Sequence, residues 1–271
     1  MKDVLKNSNF VKFILAFYLV MTIWWISMFF RGLKGSNENN YFTLIYPLLS
    51  LMGGISGLIF ANKWGGFKSY IGKTLSLFSF GLLAQFFGQA AYAYYIYIKG
   101  IDVPYPSIGD IGYFGSVIFY IWAACILAKL SGLTISFQSL KNKFIVLLIP
   151  LVVLVVSYFL FLQGYEFDFA NKLKIFLDFG YPLGEAVYVS IAVIALLVSS
   201  NFLGGIMKKP IIFFILALIF QYFCDFVFLY QSNHSMWYVG GINDYMYFAS
   251  YFLMTLALVD IGNTFNRIKN S

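Results

Sequence analysis

The chain has 271 residues, of which 61% are hydrophobic and only 11% are charged. Together with a mean hydropathy of +0.81, this composition excludes a soluble globular domain. The net charge of +7 requires no nucleic-acid partner, because basic residues at the edge of a bilayer suit anionic lipid headgroups. The sequence therefore predicts an all-α polytopic membrane protein whose surroundings are the lipid bilayer.

Eight apolar runs reach the length of about 20 residues that a helix needs to cross the hydrocarbon core. They are predicted at residues 10–30, 41–61, 74–98, 109–130, 144–163, 177–202, 210–231 and 242–262. Seven spans is the alternative count, since residues 176–182 also suit a loop. We expect one membrane domain of eight transmembrane helices, built as repeated helical hairpins at residues 10–61, 74–130, 144–202 and 210–262.

The basic residues predict the orientation of these helices. Most of the 18 lysines and arginines fall in the two termini and in the second, fourth and sixth loops, for example Lys63, Lys129 and Lys208. Lysine and arginine accumulate on the cytoplasmic side of membrane proteins. The sequence therefore predicts a multi-pass protein of the cell membrane with both termini in the cytoplasm.

A carboxylate followed by a tyrosine three residues later recurs in the fourth, sixth and eighth predicted helices. The pairs are Asp110 and Tyr113, Glu185 and Tyr188, and Asp244 and Tyr247. The helices before the first and last pairs also match, with QFFGQ at 85–89 against QYFCD at 221–225. We interpret this as an internal repeat in which three even-numbered helices begin alike, with the acid in the first turn.

These acids have two interpretations, a structural one and a functional one. Ser107 three residues before Asp110 resembles a capping box, and the helix dipole favours an acid in a first turn. Asp225 lies inside an apolar helix, where an ionisable group is by default functional or paired. The single histidine, His234, and the separate Cys125 and Cys224 exclude a histidine-rich metal centre and a disulfide framework.

Three of the motifs carry a resemblance to a known family. VPYPSIGDIGYFGSVIFYIWAACIL resembles the "P-F-P-S-x-A-D-x-x-Y" stretch of the multi-helix membrane modules at the N-terminus of prokaryotic GGDEF/EAL cyclic-di-GMP enzymes and some sensor kinases. YPLGEAVYVSIAVIALL resembles their "Y-P-x-G-D" helix, with Glu185 where Asp is usual, and NDYMYFASYFLMTLAL resembles their final helix. The similarity covers residues 75–262. It implies a stand-alone sensory module, because no output domain follows the last helix.

We expect the outer ends of the hairpins to form one polar, acidic pocket. Its predicted lining is Gln85, Gln89, Asp110, Tyr113, Glu185, Tyr188, Gln221, Asp225, Asp244 and Tyr247. A small ligand, a cation or a proton would bind there, without a cofactor or a resident metal, because close carboxylates in a low dielectric share protons or a cation. Binding would be read by a separate cytoplasmic signalling partner or by a second copy of the chain.

Two other classes remain open. An ion-coupled transporter would use the same carboxylates, with residues 182–184 as a broken helix. A membrane-embedded hydrolase would pair two carboxylates, as in the intramembrane aspartyl proteases whose GxGD motif is only partly matched at 107–110 or, more distantly, in eight-helix lipid hydrolases. A catalytic function is therefore uncertain, and no catalytic residue is predicted.

Overall fold

The structure, a computed structural model, describes residues 9–131, 140–163, 165, 167, 169–202 and 206–269, and in this part of the chain it holds helices and no strand. The helices are α1 (Asn9–Phe30), α2 in two segments (Asn37–Ile45 and Leu48–Lys63), α3 (Tyr70–Ala93, continued by the π-helical Tyr94–Lys99), α4 (Gly109–Leu130), α5 (Leu140–Ser157, continued by Tyr158–Leu162), α6 (Lys172–Phe202), α7 (Lys208–Asn233) and α8 (Ile242–Lys269). The predicted all-α fold is confirmed.

The helices have the length and composition of membrane spans. Within the described ranges, α1–α4 and α6–α8 are each long and apolar enough to cross a bilayer, and α5 contains a shorter apolar helix, Leu148–Leu162. Large apolar side chains such as Val20, Ile111 and Trp122 lie exposed on the outside of the bundle. In a bilayer these side chains contact lipid, so the chain is a multi-pass membrane protein.

Local sequence signals explain where several helices begin and break. Ser36 and Asn39 form a capping box that starts α2, and Ser69 accepts the backbone N–H of Gly72 at 2.9 Å at the start of α3. Pro47 separates the two segments of α2, because proline has no N–H to continue the helical ladder. The sequence also allowed a loop at residues 176–182, but α6 begins at Lys172, ten residues before Pro182, and continues through that proline.

Six helices close into a ring. Each of α2, α3, α4, α6, α7 and α8 packs against the next, and α8 packs back against α2. Two helices lie outside the ring, with α5 against α6 and α7 and with α1 chiefly against α8. The predicted hairpins α3–α4, α5–α6 and α7–α8 are therefore packed pairs, whereas the long segment of α2 has α3 and α8 as its main neighbours.

Glycines let the ring helices approach closely. A Cβ on Gly53 would collide with Thr255 of α8, and one on Gly57 with Ser79 of α3. On α4, a Cβ on Gly112 would lie 2.6 Å from the backbone nitrogen of Gly88 on α3. Small residues at such contacts favour helix association in membranes, because there the hydrophobic effect does not drive helices together. Gly53, Gly57 and Gly112 are therefore contacts through which the ring helices pack.

Loops at one end of the bundle, here called the far end, lie opposite the start of α1. They are the connections α1–α2, α3–α4, α5–α6 and α7–α8. Side chains tie these loops to neighbouring helices. Trp25 of α1 donates to the carbonyl of Gly240 in the α7–α8 loop at 3.1 Å, and Tyr105 of the α3–α4 loop donates to Asp178 of α6 at 2.7 Å. Asp110 and Asp244 lie at this end, in the first turns of α4 and α8, whereas Glu185 and Asp225 lie within α6 and α7.

Candidate functional site

The centre of the site is Asp225, a carboxylate inside the ring. It is 7% exposed, and three donors bind it. Tyr188 of α6 donates to Oδ2 at 2.7 Å, while Tyr247 of α8 and Gln221 of α7 donate to Oδ1 at 3.0 and 2.9 Å. Four residues predicted separately as site residues are therefore one hydrogen-bonded cluster that joins three helices.

Glu185 lies beside this cluster. It is one helical turn before Tyr188 on α6, only 4% of its surface is exposed, and it interacts electrostatically with Asp225. In the described part of the chain its carboxylate accepts no hydrogen bond. The expectation that Glu185 lies in a first helical turn is wrong, because α6 already begins at Lys172. Glu185 is a buried acid of the helix interior, and the helix dipole does not explain it.

A layer of amides and hydroxyls extends from Asp225 toward α3 and α4. Ser250 donates to Gln221 at 2.7 Å. Across the ring, Gln85 donates to Ser116 at 2.8 Å and accepts from Tyr251 at 3.1 Å. Gln85 is thus buried and bonded, as the sequence suggested. The two serines were missed, although each lies three residues beyond a predicted tyrosine, on the same helical face.

Asp244 forms a second centre nearer the far end. Its Oδ2 accepts the backbone N–H of Gly240 at 2.6 Å, and its Oδ1 has a long contact of 3.5 Å with the hydroxyl of Tyr46. Tyr46 also accepts from Gln89 at 2.9 Å. Gly240 has a φ of +71°, a conformation that glycine adopts without steric cost. Tyr46 was not predicted as a site residue.

The two centres meet through aromatic rings. Tyr251 stacks on Tyr46 with ring centroids 6.1 Å apart and on Tyr247 with centroids 6.2 Å apart. Because Tyr46 contacts Asp244 and Tyr247 contacts Asp225, the interior is one continuous polar and aromatic layer. Tyr251 lies in the middle of this layer and is fully buried.

Asp110 is bonded apart from these centres. Its Oδ2 accepts the N–H of Ser107 at 2.7 Å, and its Oδ1 accepts from Tyr181 of α6 at 2.7 Å. Only half of the capping box suggested by Ser107 is present, because the Ser107 hydroxyl accepts the N–H of Gly109 instead of that of Asp110 and the N-cap residue is Ile108. Tyr113 turns its ring onto Gly88 of α3, and its hydroxyl has no hydrogen bond to a described residue. Tyr113 nevertheless interacts electrostatically with both Asp244 and Asp110, so the structure brings nine of the ten predicted residues together and leaves Asp110 at the edge.

No known protein family matches this chain, and no curated protein or solved structure is similar to it. Among the described residues, Arg31 and Glu38 form the one salt bridge, and it lies exposed at the far end, where its hydrogen bonds raise the pKa of Arg31. Within the same described ranges, Asp225, Glu185 and Asp244 have no basic partner.

A further carboxylate, Asp178 of α6, lies at the far end. It accepts from Tyr105 at 2.7 Å and from Tyr165 at 2.6 Å, so it ties the α3–α4 loop to the α5–α6 loop. Burial, and then the hydrogen bond to Asp178, raise the pKa of Tyr105 above its ordinary value.

In the described ranges no three His, Cys, Asp or Glu side chains gather as ligands for a metal ion. The arrangement can hold protons or a small cation among hydroxyls and carboxylates.

Proposed function

We propose that the protein is a membrane-embedded sensory or ligand-binding module. Its interior acids take up a small ligand, a cation or a proton, and the change in helix packing is read by a separate cytoplasmic partner or by a second copy of the chain. The observation that carries this proposal is the pair Glu185 and Asp225, two buried carboxylates that interact without any basic partner in the described chain.

A purely structural role accounts poorly for this pair. Charged groups inside a membrane are costly, and they generally mark proton, ion or substrate sites. An asparagine or glutamine could also hydrogen-bond to Tyr188 and Tyr247 without that cost. Two acids in one membrane interior therefore indicate that at least one of them gains and loses a charge.

Matching bonds in two hairpins support the proposed internal repeat. Gln85 of α3 bonds to Ser116 of α4, and Gln221 of α7 bonds to Ser250 of α8. In α4 and α8 the acid, the tyrosine and this serine follow one another at intervals of three residues. The repeat and the motif resemblance both favour a sensory module built from duplicated hairpins.

The orientation is also part of the proposal. We place the far end outside the cell membrane and both chain termini in the cytoplasm, because lysines such as Lys63, Lys68 and Lys129 border the opposite end. Cysteines introduced singly at Lys68 and Lys99, in a chain whose two native cysteines are replaced, would test it. A membrane-impermeant thiol reagent added to intact cells should label position 99 and spare position 68, and the reverse pattern would invert the topology.

The functional test uses the full chain in lipid nanodiscs. Hydrogen exchange in the α2–α3 loop, at the end opposite the acids, is measured as pH and sodium concentration are varied. The wild type should change its exchange with one of these variables, and Asp225→Asn should lose that response while remaining folded. Asp260→Asn, the same substitution in α8 toward the opposite end of that helix, is the matched control. A wild type that responds to neither variable would refute binding of a proton or of sodium.

A further inference from the structure

We infer that the ligand of this site is a proton, that Glu185 is the group that binds and releases it, and that Asp225 is the fixed negative charge beside it. The inference rests on the proposed function and deepens it by assigning different roles to the two acids. Both acids are buried in the same interior, so the difference between them must come from their hydrogen bonds.

Hydrogen-bond donors are divided unequally between the two carboxylates. Asp225 receives Tyr188, Tyr247 and Gln221, and donors of this kind stabilise the ionised form of an acid. Glu185 receives none from the described residues, while it is as deeply buried. When only one of two neighbouring acids can be ionised in a low dielectric, the one that holds the donors keeps the charge. The proton therefore belongs to Glu185.

Among the described residues, no lysine, arginine or histidine interacts with Glu185. The titratable groups that face this part of the interior are Asp225, Tyr222 and Cys224 from α7, Tyr247 from α8, Tyr120 from α4, and Tyr188 from α6 itself. From α5 comes Ser157, a non-titrating side chain that bonds to Tyr222. Tyrosines and a buried thiol remain neutral near pH 7. The two carboxylates are then the groups of this region that exchange protons, and Glu185 is the one without hydrogen-bond donors.

A metal cation fits the same geometry poorly. Three donor hydrogens point at Asp225, and they would repel a cation placed on that carboxylate. Calcium takes six to eight oxygen ligands, and magnesium demands an octahedral shell, whereas the described residues gather no metal-ligating group of three acids, histidines or cysteines. A proton needs only one free carboxylate oxygen, and Glu185 has two.

Protonation changes the charge balance between α6 and α7. The carboxylate of Glu185 accepts a proton from hydronium, which leaves water, and the pair then carries one negative charge where it carried two. With both acids ionised, like charges repel across the α6–α7 contact in a medium that screens them weakly. Loss of the proton therefore loosens the packing of α6 on α7, and its return restores that packing.

Infrared difference spectroscopy on the whole chain in nanodiscs tests the assignment. As pH is lowered, the wild type should gain the carbonyl band of a buried protonated carboxylic acid. Glu185→Gln should abolish that band, Asp225→Asn should keep it with its midpoint shifted to lower pH, and Glu38→Gln, at an exposed glutamate, should leave it unchanged. Loss of the band in Asp225→Asn with its retention in Glu185→Gln would overturn the assignment.

Isotope labelling makes the test independent of how well the variants fold. The chain contains three glutamates, Glu38, Glu166 and Glu185. In the wild type, carboxyl-labelled glutamate should shift the band and labelled aspartate should not. A band that moves with aspartate labelling, no band at any pH, or a band lost on adding sodium at constant pH would each refute the inference. A pH response in hydrogen exchange that persists in Glu185→Gln would refute it too, without refuting sensing by the module.

Discussion

Gly112→Ala should weaken the bundle at the contact between α3 and α4. The added Cβ would lie 2.6 Å from the nitrogen and 3.0 Å from the Cα of Gly88, whereas carbon atoms at rest lie about 3.5–4.0 Å apart. Backbone atoms cannot rotate away, so the helices must separate by roughly 1 Å. Overpacking of this kind costs about 1–3 kcal/mol. We expect a loss of stability near the upper end of this range, since the added Cβ collides with backbone atoms of α3 and not with a flexible side chain.

Gly115→Ala is the matched control on the same helix. A Cβ there meets nothing within 4 Å, so alanine should gain up to about 1 kcal/mol from its helix propensity. Free energies of unfolding, measured by titrating the purified protein in mixed micelles with sodium dodecyl sulfate, should therefore rank Gly115→Ala at or above the wild type and Gly112→Ala below it. Equal stability of the two variants would refute the close approach of α3 and α4.

Two further outcomes follow from the far-end loops. Gly240→Ala should destabilise the protein more than Gly100→Ala. Both glycines have positive φ, but a Cβ at position 240 would lie 2.8 Å from Asn39, whereas a Cβ at position 100 would meet no atom within 4 Å. Equal losses of stability in the same titration would contradict the collision with Asn39. The raised pKa of Tyr105 predicts a contribution to stability that is complete below the ordinary tyrosine pKa of about 10 and is lost as pH rises through the folded-state value. Tyr105→Phe should flatten this alkaline loss in near-UV circular dichroism, and an unchanged pH profile would exclude the bond to Asp178 as its source.

Much of the fold could be predicted from the sequence because a bilayer imposes a simple pattern. Apolar runs of sufficient length become helices, since every backbone polar group must be bonded within its own segment. The clustering of Gln221, Asp225 and Tyr247 was also accessible, because their spacing puts them on interior faces of neighbouring helices. The small-residue contacts at Gly53 and Gly57 follow from the same logic.

Other features depend on packing between helices that are distant in sequence. Tyr46 and Tyr251 lie among many aromatic residues in apolar runs, and nothing in their local sequence distinguishes a hydroxyl that will meet Gln89 or Gln85. The start of α6 was misjudged for a different reason. Pro182 normally indicates a helix boundary, but α6 continues through it, so Glu185 came to lie in the middle of a helix. Ring closure between α2 and α8 likewise leaves no local signature.

The position of α1 has a consequence for how the molecule assembles during synthesis. The ring of Tyr18 stacks on Phe252 of α8 with centroids 4.0 Å apart, and Trp25 bonds to the carbonyl of Gly240 just before α8. A ribosome delivers α1 more than two hundred residues ahead of those partners. Until then its docking face is covered by lipid or by other proteins of the membrane. Contacts so remote along the chain form slowly and late, so arrival of α8 both completes the ring and seats α1.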